Sequence, residues 1–268
     1  GQFRPIEESY TMKMITLLGV TLLAVAIGAP ASLVAQEEKA EEKTYIYATY
    51  FYCDTATEDK ADESVKKNFV PIYDAAVEDG TLNAWGWLSH NMGGKWRRIL
   101  YRTSNSIEAL MAAEQTIGKR IDEAMGDSED DFGKSCNAHD DYMWQSVAGG
   151  DGSTERGKVG ISVYHVCSMA DDQRIDELFK KVSQPLLEKA ASEGKISSWG
   201  WNSHVIGGQY RRLETMTAPD YPSLLKARAE LIATMYADGG NADAAELDKL
   251  CSSHSDYLWN IVHEKAGS

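Results

Sequence analysis

Basic residues are scarce. The chain of 268 residues carries 41 aspartates and glutamates against 27 lysines and arginines, a formal net charge of −14. A surface of that sign repels phosphate backbones and anionic headgroups, which argues against nucleic acid and membrane surfaces as partners. Long apolar runs are missing too, apart from one between Ile15 and Ile27; no later stretch is long enough to cross a bilayer. There is no phosphate loop, no dinucleotide fingerprint, no haem-attachment cysteine pair and no Ser-His-Asp signature. No motif therefore calls for a cofactor. Low-complexity sequence is absent as well, and 43% apolar residues suffice for a buried core.

The single apolar run has a recognisable setting. Met12, Lys13 and Met14 give a short basic start, and Ala29-Pro30-Ala31 and Leu33-Val34-Ala35 offer small-residue cleavage sites. This is the layout of a secretory signal peptide, and the run is short for a membrane anchor. Residues 1–11 precede Met12 and are set aside as an upstream extension. Residues 1–35 are thus expected to be removed from a secreted or periplasmic protein. They hold two basic and two acidic residues, so the remainder keeps 25 against 39, again −14. No cysteine near the cleavage sites could take a lipid, so no stable membrane association is expected after cleavage. Residues 36–43 form a charged linker.

The rest is written twice. TLNAWGWLSHNMGGKWRRILYRT (Thr81–Thr103) and KISSWGWNSHVIGGQYRRLETMT (Lys195–Thr217) share 10 of 23 positions at an offset of 114. Cys53 aligns with Cys167 and Pro71 with Pro185 at that offset. Cys136, His139, Tyr142 and Trp144 align with Cys251, His254, Tyr257 and Trp259 at 115. Repeat 1 spans 44–149 and repeat 2 spans 158–264. The Gly-rich segment 150–157 between them reads as a flexible linker.

Each repeat has the same pattern. Tyr45–Cys53 is aromatic and β-branched, a strand. Asp62–Glu78 has helical apolar spacing, with Pro71 expected to bend it. Trp85–His90 and Trp96–Thr103 read as strands joined by a two-residue turn at Gly93-Gly94. Asn105–Met125 reads as a helix with Asn105 and Glu108 as a capping pair. Asp141–Val147 is a last strand. The order βαββαβ is the ferredoxin-like unit. The chain is α+β, and two tandem units of this kind can pack their bare sheet faces into one α+β barrel. In this it resembles the dimeric α+β barrel superfamily, fused into one chain. That superfamily includes cofactor-independent monooxygenases, small isomerases, haem-handling enzymes and proteins with no known activity, so the resemblance implies a fold and no single function.

In such a unit the last strand lies antiparallel to the first. Cys53 ends the first strand and Cys136 precedes the last, so the two reach one end of neighbouring strands; the same holds for Cys167 and Cys251. Disulfides Cys53–Cys136 and Cys167–Cys251 are expected in an exported protein. The rival is a metal site using Cys136-x-x-His139 and Cys251-x-x-His254, with Cys53 or Cys167 as third ligand. The disulfide reading is preferred, and no metal is expected.

The repeated hairpin places His90 opposite Arg97 and His204 opposite Arg211. Arg binds carboxylates bidentately and His moves protons near neutrality, so His90, Arg97, His204 and Arg211 are candidate ligand contacts, with Trp87 and Trp201 as an apolar wall. The alternative is that the tryptophans are core and the arginines solvated edge charges. Alternation puts Trp85, Trp87, Ser89 and Arg98 on one sheet face and Gly86, Leu88, His90 and Arg97 on the other. Repeat 2 is the more polar here, since Leu88 becomes Asn202 and Leu100 becomes Glu214. The expected function is capture of a small apolar or aromatic anionic molecule in the barrel. The alternatives are a non-catalytic structural or interaction module, and a monooxygenase-like or haem-handling enzyme. A cavity reached by His90 or His204 would favour the first; a barrel filled by Trp and Tyr would favour the structural module.

Overall fold

A computed structural model describes residues 43–126, 130–152, 156–237 and 241–267. The leader, most of the charged linker and residues 153–155 of the Gly-rich linker lie outside these. Repeat 1 runs β1 (Tyr45–Tyr52), α1 (Glu58–Ser64), a π-helical turn (Val65–Phe69), α2 (Val70–Glu78), β2 (Ala84–Gly93), β3 (Arg98–Ser104), α3 (Ile107–Met125), α4 (Asp131–Ser135) and β4 (Ala138–Asp151). Repeat 2 runs β5 (Val159–Cys167), α5 (Asp172–Val182), α6 (Gln184–Ser192), β6 (Ser198–Ile206), β7 (Arg212–Ala218), α7 (Tyr221–Met235), α8 (Ala242–Leu250) and β8 (Cys251–Ala266).

The bends fall where proline demands them. Pro71 and Pro185 each sit in the first turn of a fresh helix, α2 and α6. A proline lacks the donor to continue the preceding helix, and repeat 1 absorbs the break in a π-turn. The cap of α3 differs from expectation: Ser106, not Asn105, accepts from the Ala109 amide, while Asn105 accepts from the Asn83 side chain.

All eight strands close into one antiparallel barrel in the order β1-β3-β2-β8-β5-β7-β6-β4. Each repeat contributes a four-strand sheet, β4-β1-β3-β2 and β8-β5-β7-β6. The seams are β2 with β8 and β6 with β4, so no strand edge is left bare. These strands run longer than the sequence suggests because their far ends belong to the other repeat. Gly150, read as flexible linker, is a ladder residue facing Trp199, next to Gly149 opposite Gly200.

Alternation along each strand then separates two cores. Outward strand residues meet the helices: Phe51, Trp85 and Trp87 share a core with Leu110 and Ile117 of α3 in repeat 1, and Trp199, Trp201 and Met216 share one with Phe179 of α5 and Leu224 of α7 in repeat 2. Inward residues fill the lumen, chiefly Tyr50, Trp96, Tyr142, Trp144, Tyr164, Tyr257 and Trp259. Burying one such aromatic is worth roughly 2–3 kcal/mol. Among the described residues no helix is long and apolar enough to cross a membrane.

Candidate functional site

The disulfides are those expected. Cys53 bonds Cys136 and Cys167 bonds Cys251, with Cα separations of 4.0 and 3.9 Å. A sulfur in a disulfide is no thiolate ligand, so the Cys-x-x-His metal reading falls.

The hairpin motif lies against the other repeat. His90 and Arg97 are paired through the backbone as expected, but the turn is not a two-residue one. Beyond His90, β2 leaves β3 and continues on β8, with Gly93 opposite Tyr257. Gly93 has φ +106°, and a Cβ there would lie 2.1 Å from the Asp256 carbonyl. A Cβ on Gly94 would strike the Tyr257 hydroxyl at 1.8 Å; Gly207 and Gly208 lie as tightly over Tyr142. Only glycine allows that approach. The ring of His90 packs edge-on to Tyr257 and Trp259, and that of His204 to Tyr142 and Trp144. Each motif thus clasps the last strand of the other repeat.

The arginines are held from outside the barrel. Arg97 Nε and Nη2 donate to Glu58 at 2.8 and 2.7 Å. Arg98, almost fully buried, donates to Asp62 at 2.7 and 2.6 Å, and Trp87 Nε1 donates to the same carboxylate at 2.8 Å. Repeat 2 repeats the arrangement. Arg211 pairs with Asp172, and Arg212 with Asp172 and Asp176, while Trp201 donates to Asp176. The acids stand at i and i+4 on α1 and α5, at the repeat offset of 114, which is the sequence signal that would have identified them as partners. Arg97 Nη1 and Arg211 Nη1 also reach His90 Nδ1 and His204 Nδ1 at 2.6 and 2.5 Å. Burial, with the neighbouring arginine charge added, holds both histidines below their ordinary pKa. Trp87 and Trp201 stand under the helices. None of these six residues borders the lumen cavity.

That cavity lies at one end of the barrel. The other end is plugged by Trp96, stacked on Tyr50 at 4.3 Å and on Tyr257 at 5.2 Å. Beyond the plug a space of about 270 Å³ is lined by apolar groups such as Leu88, Ile99 and Leu213, and by Ser162, Asn202 and Thr215. Its mouth carries Arg156, which donates to Glu264 and to the Tyr101 hydroxyl, itself bonded to Glu264. Burial and the Glu264 charge push the Tyr101 phenol up, so it remains a donor.

The two repeats differ at the cavity wall. Trp144 Nε1 donates to the Tyr50 hydroxyl at 3.2 Å. The equivalents in repeat 2 are Trp259 and Tyr164. Both are fully buried, and among the described residues neither Trp259 Nε1 nor the Tyr164 hydroxyl meets a partner at hydrogen-bond geometry, although the Tyr50 and Ser162 hydroxyls lie beside that of Tyr164. Both line the cavity. Burial, followed by the neighbouring Tyr50, raises the Tyr164 pKa well above the usual phenol value, so the hydroxyl keeps its proton. A buried polar group without a partner costs about 1–3 kcal/mol, so this pair calls for an acceptor. Sequence alignment of the repeats pairs these residues, but only the coordinates reveal that one bond is made and the other is not.

No family model and no curated protein matches the sequence. Solved structures do match in fold. A candidate monooxygenase from Lactobacillus acidophilus superposes with a TM-score of 0.57 at 9% identity, over 84% of this chain and 97% of the other. An anthrone oxidase-like protein gives 0.54 at 10% identity, over 85% and 95%. A chlorite dismutase variant from Candidatus Nitrospira defluvii, in complex with cyanide, gives 0.53 at 8% identity, over 82% and 91%. The chain therefore has the dimeric α+β barrel fold, completed within a single polypeptide.

Proposed function

We propose that this is an exported binding protein that takes a small apolar or aromatic molecule, bearing one acceptor oxygen, into the barrel lumen. The observation that carries the reading is the pair of unmet donors, Trp259 Nε1 and the Tyr164 hydroxyl, on the wall of a largely apolar cavity. A carbonyl, carboxylate or phenolate oxygen supplies what both lack, and the apolar walls take the body. The paired cysteines support the export half, since disulfides persist in oxidising compartments. On this reading residues 1–35 are the leader, 36–43 the lead-in, and 150–157 the joint between repeats. The aromatic plug at the opposite end favours a structural role for that half of the barrel alone. Likeness to oxidases and dismutases is likeness of fold, and no reaction is assigned from it.

The test is a thermal-shift screen of the oxidised chain against aromatic ketones, quinones, phenols and arene carboxylates. Stabilisation by one class, reduced in Trp259→Phe, is expected. A screen in which no compound stabilises the wild type, or in which Trp259→Phe responds equally, would refute lumen binding.

A further inference from the structure

The second repeat holds a cavity outside the barrel, between its sheet and its helices. It measures about 310 Å³. The same place in repeat 1 is an apolar space of about 160 Å³ bounded by Phe51, Phe69, Tyr73, Trp87, Leu100 and Phe132. The repeat alignment shows how the larger one arises. Phe51 becomes His165, Phe69 becomes Ser183, Tyr73 becomes Leu187, Leu100 becomes Glu214 and Phe132 becomes Leu247. Three aromatic rings are withdrawn, a fourth is exchanged for the smaller imidazole and three polar side chains enter, while only Val65→Phe179 adds bulk. In repeat 1 the buried Arg102 is bonded to Glu114; in repeat 2 those positions are Met216 and Arg228, so that internal pair is gone.

The polar groups in this cavity are unequally satisfied. Arg228 is bonded to Asp256 at 2.7 Å, and Asp256 also holds His254 at 2.7 Å. Tyr236 donates to Asp248. Glu214 has only His165 Nε2 at 3.9 Å, beyond hydrogen-bond reach, and that nitrogen is buried without a hydrogen bond. A half-buried carboxylate with no hydrogen-bond donor among the described residues thus lines a pocket walled by Phe179, Leu231, Met235 and Leu247. An apolar-lined core void is destabilising when empty. Five replacements that open one void and turn polar atoms into it amount to a built site.

We infer that repeat 2 binds a small organic amine here, with its ammonium on Glu214 and His165 and its apolar body against the helices. The charge favours a cation: the Arg228 charge is met by Asp256, no lysine or arginine among the described residues pairs with Glu214, and the net −14 of the chain attracts amines from solution. This site is independent of the lumen.

The test is calorimetric titration of the full oxidised chain with 2-phenylethylamine, tryptamine and octylamine, each beside the alcohol of the same body. Saturable binding of at least one amine is expected, about tenfold or more tighter than its alcohol. Glu214→Leu, which installs the repeat 1 residue, should remove that preference. His165→Phe combined with Glu214→Leu should raise the melting temperature and abolish binding, because the core then approaches that of repeat 1. Trp259→Phe should leave amine affinity unchanged. Equal affinity for amine and alcohol, unaltered affinity in Glu214→Leu, or no saturable binding by any of the three amines would overturn the assignment.

Discussion

Arg212 and Asp176 are joined by two hydrogen bonds, from Nε at 2.8 Å and from Nη2 at 3.1 Å. The Arg212 side chain is fully buried, and Trp201 Nε1 donates to the same carboxylate. The arginine is therefore a strut between β7 and α5. Removing it leaves the Asp176 carboxylate with the indole donor but without its buried cation. Arg212→Ala should cost about 3–5 kcal/mol in urea unfolding. Arg97→Ala, at a pair more open to water, should cost about 1 kcal/mol or less. Equal, small losses at both positions would remove the strut from the account.

Acid should weaken the fold in two steps. His90 and His204 are held below the ordinary value of 6.5 by burial. The unfolded chain then binds their protons first, so their contribution is intact above about 6.5 and falls away as pH drops below it. Glu58 is held below its usual 4.5 by the Arg97 hydrogen bond, so its contribution persists above that value and is lost as pH falls further. The urea midpoint should decline from pH 7 to pH 5. In a His90→Gln, His204→Gln variant it should decline less. Parallel slopes would show that the histidines titrate alike folded and unfolded.

Repeat 1 alone should not be a stable monomer. Its β2 and β4 lose their partners β8 and β6, and the lumen ring of Tyr50, Trp96 and Trp144 meets water. Residues 36–150, measured by light scattering, should form a dimer that rebuilds the barrel, or aggregate. A folded monomer would contradict the shared core.

Peptide mapping without reduction should recover Cys53 linked to Cys136 and Cys167 linked to Cys251. Each closes a loop of more than 80 residues, worth about 3–5 kcal/mol in the chain-entropy treatment. If the chain is exported as proposed, N-terminal sequencing of the processed product should begin near Ser32 or Gln36. A product still carrying Ile15–Ile27 would refute processing.

The fold was legible because duplication is: a repeated βαββαβ order needs only strand alternation, helical spacing and Gly or Pro punctuation. The disulfides followed, since antiparallel neighbours bring their ends together. The partners of the hairpin arginines were not legible, because composition shows which side chains can bind, not which are already bound. Glu58 and Asp62 lie some forty residues before the arginines they hold, and only the folded sheet brings them together. The Gly-Gly pairs read as a turn within one repeat because their cause, Tyr257 and Tyr142, is in the other. Nor could sequence predict that Trp144–Tyr50 is bonded while Trp259–Tyr164 is not, because the residue types are the same in both repeats.

That asymmetry gives the most direct test of lumen binding. The best compound from the screen should be titrated into the wild type, Trp144→Phe and Trp259→Phe. Trp144→Phe breaks an internal bond and should lower stability by about 1 kcal/mol while leaving affinity within a few-fold. Trp259→Phe removes an unmet donor, should leave stability unchanged or slightly higher, and should weaken binding about tenfold. Equal affinity in all three proteins, or a greater loss in Trp144→Phe, would contradict the assignment of the lumen as the ligand site.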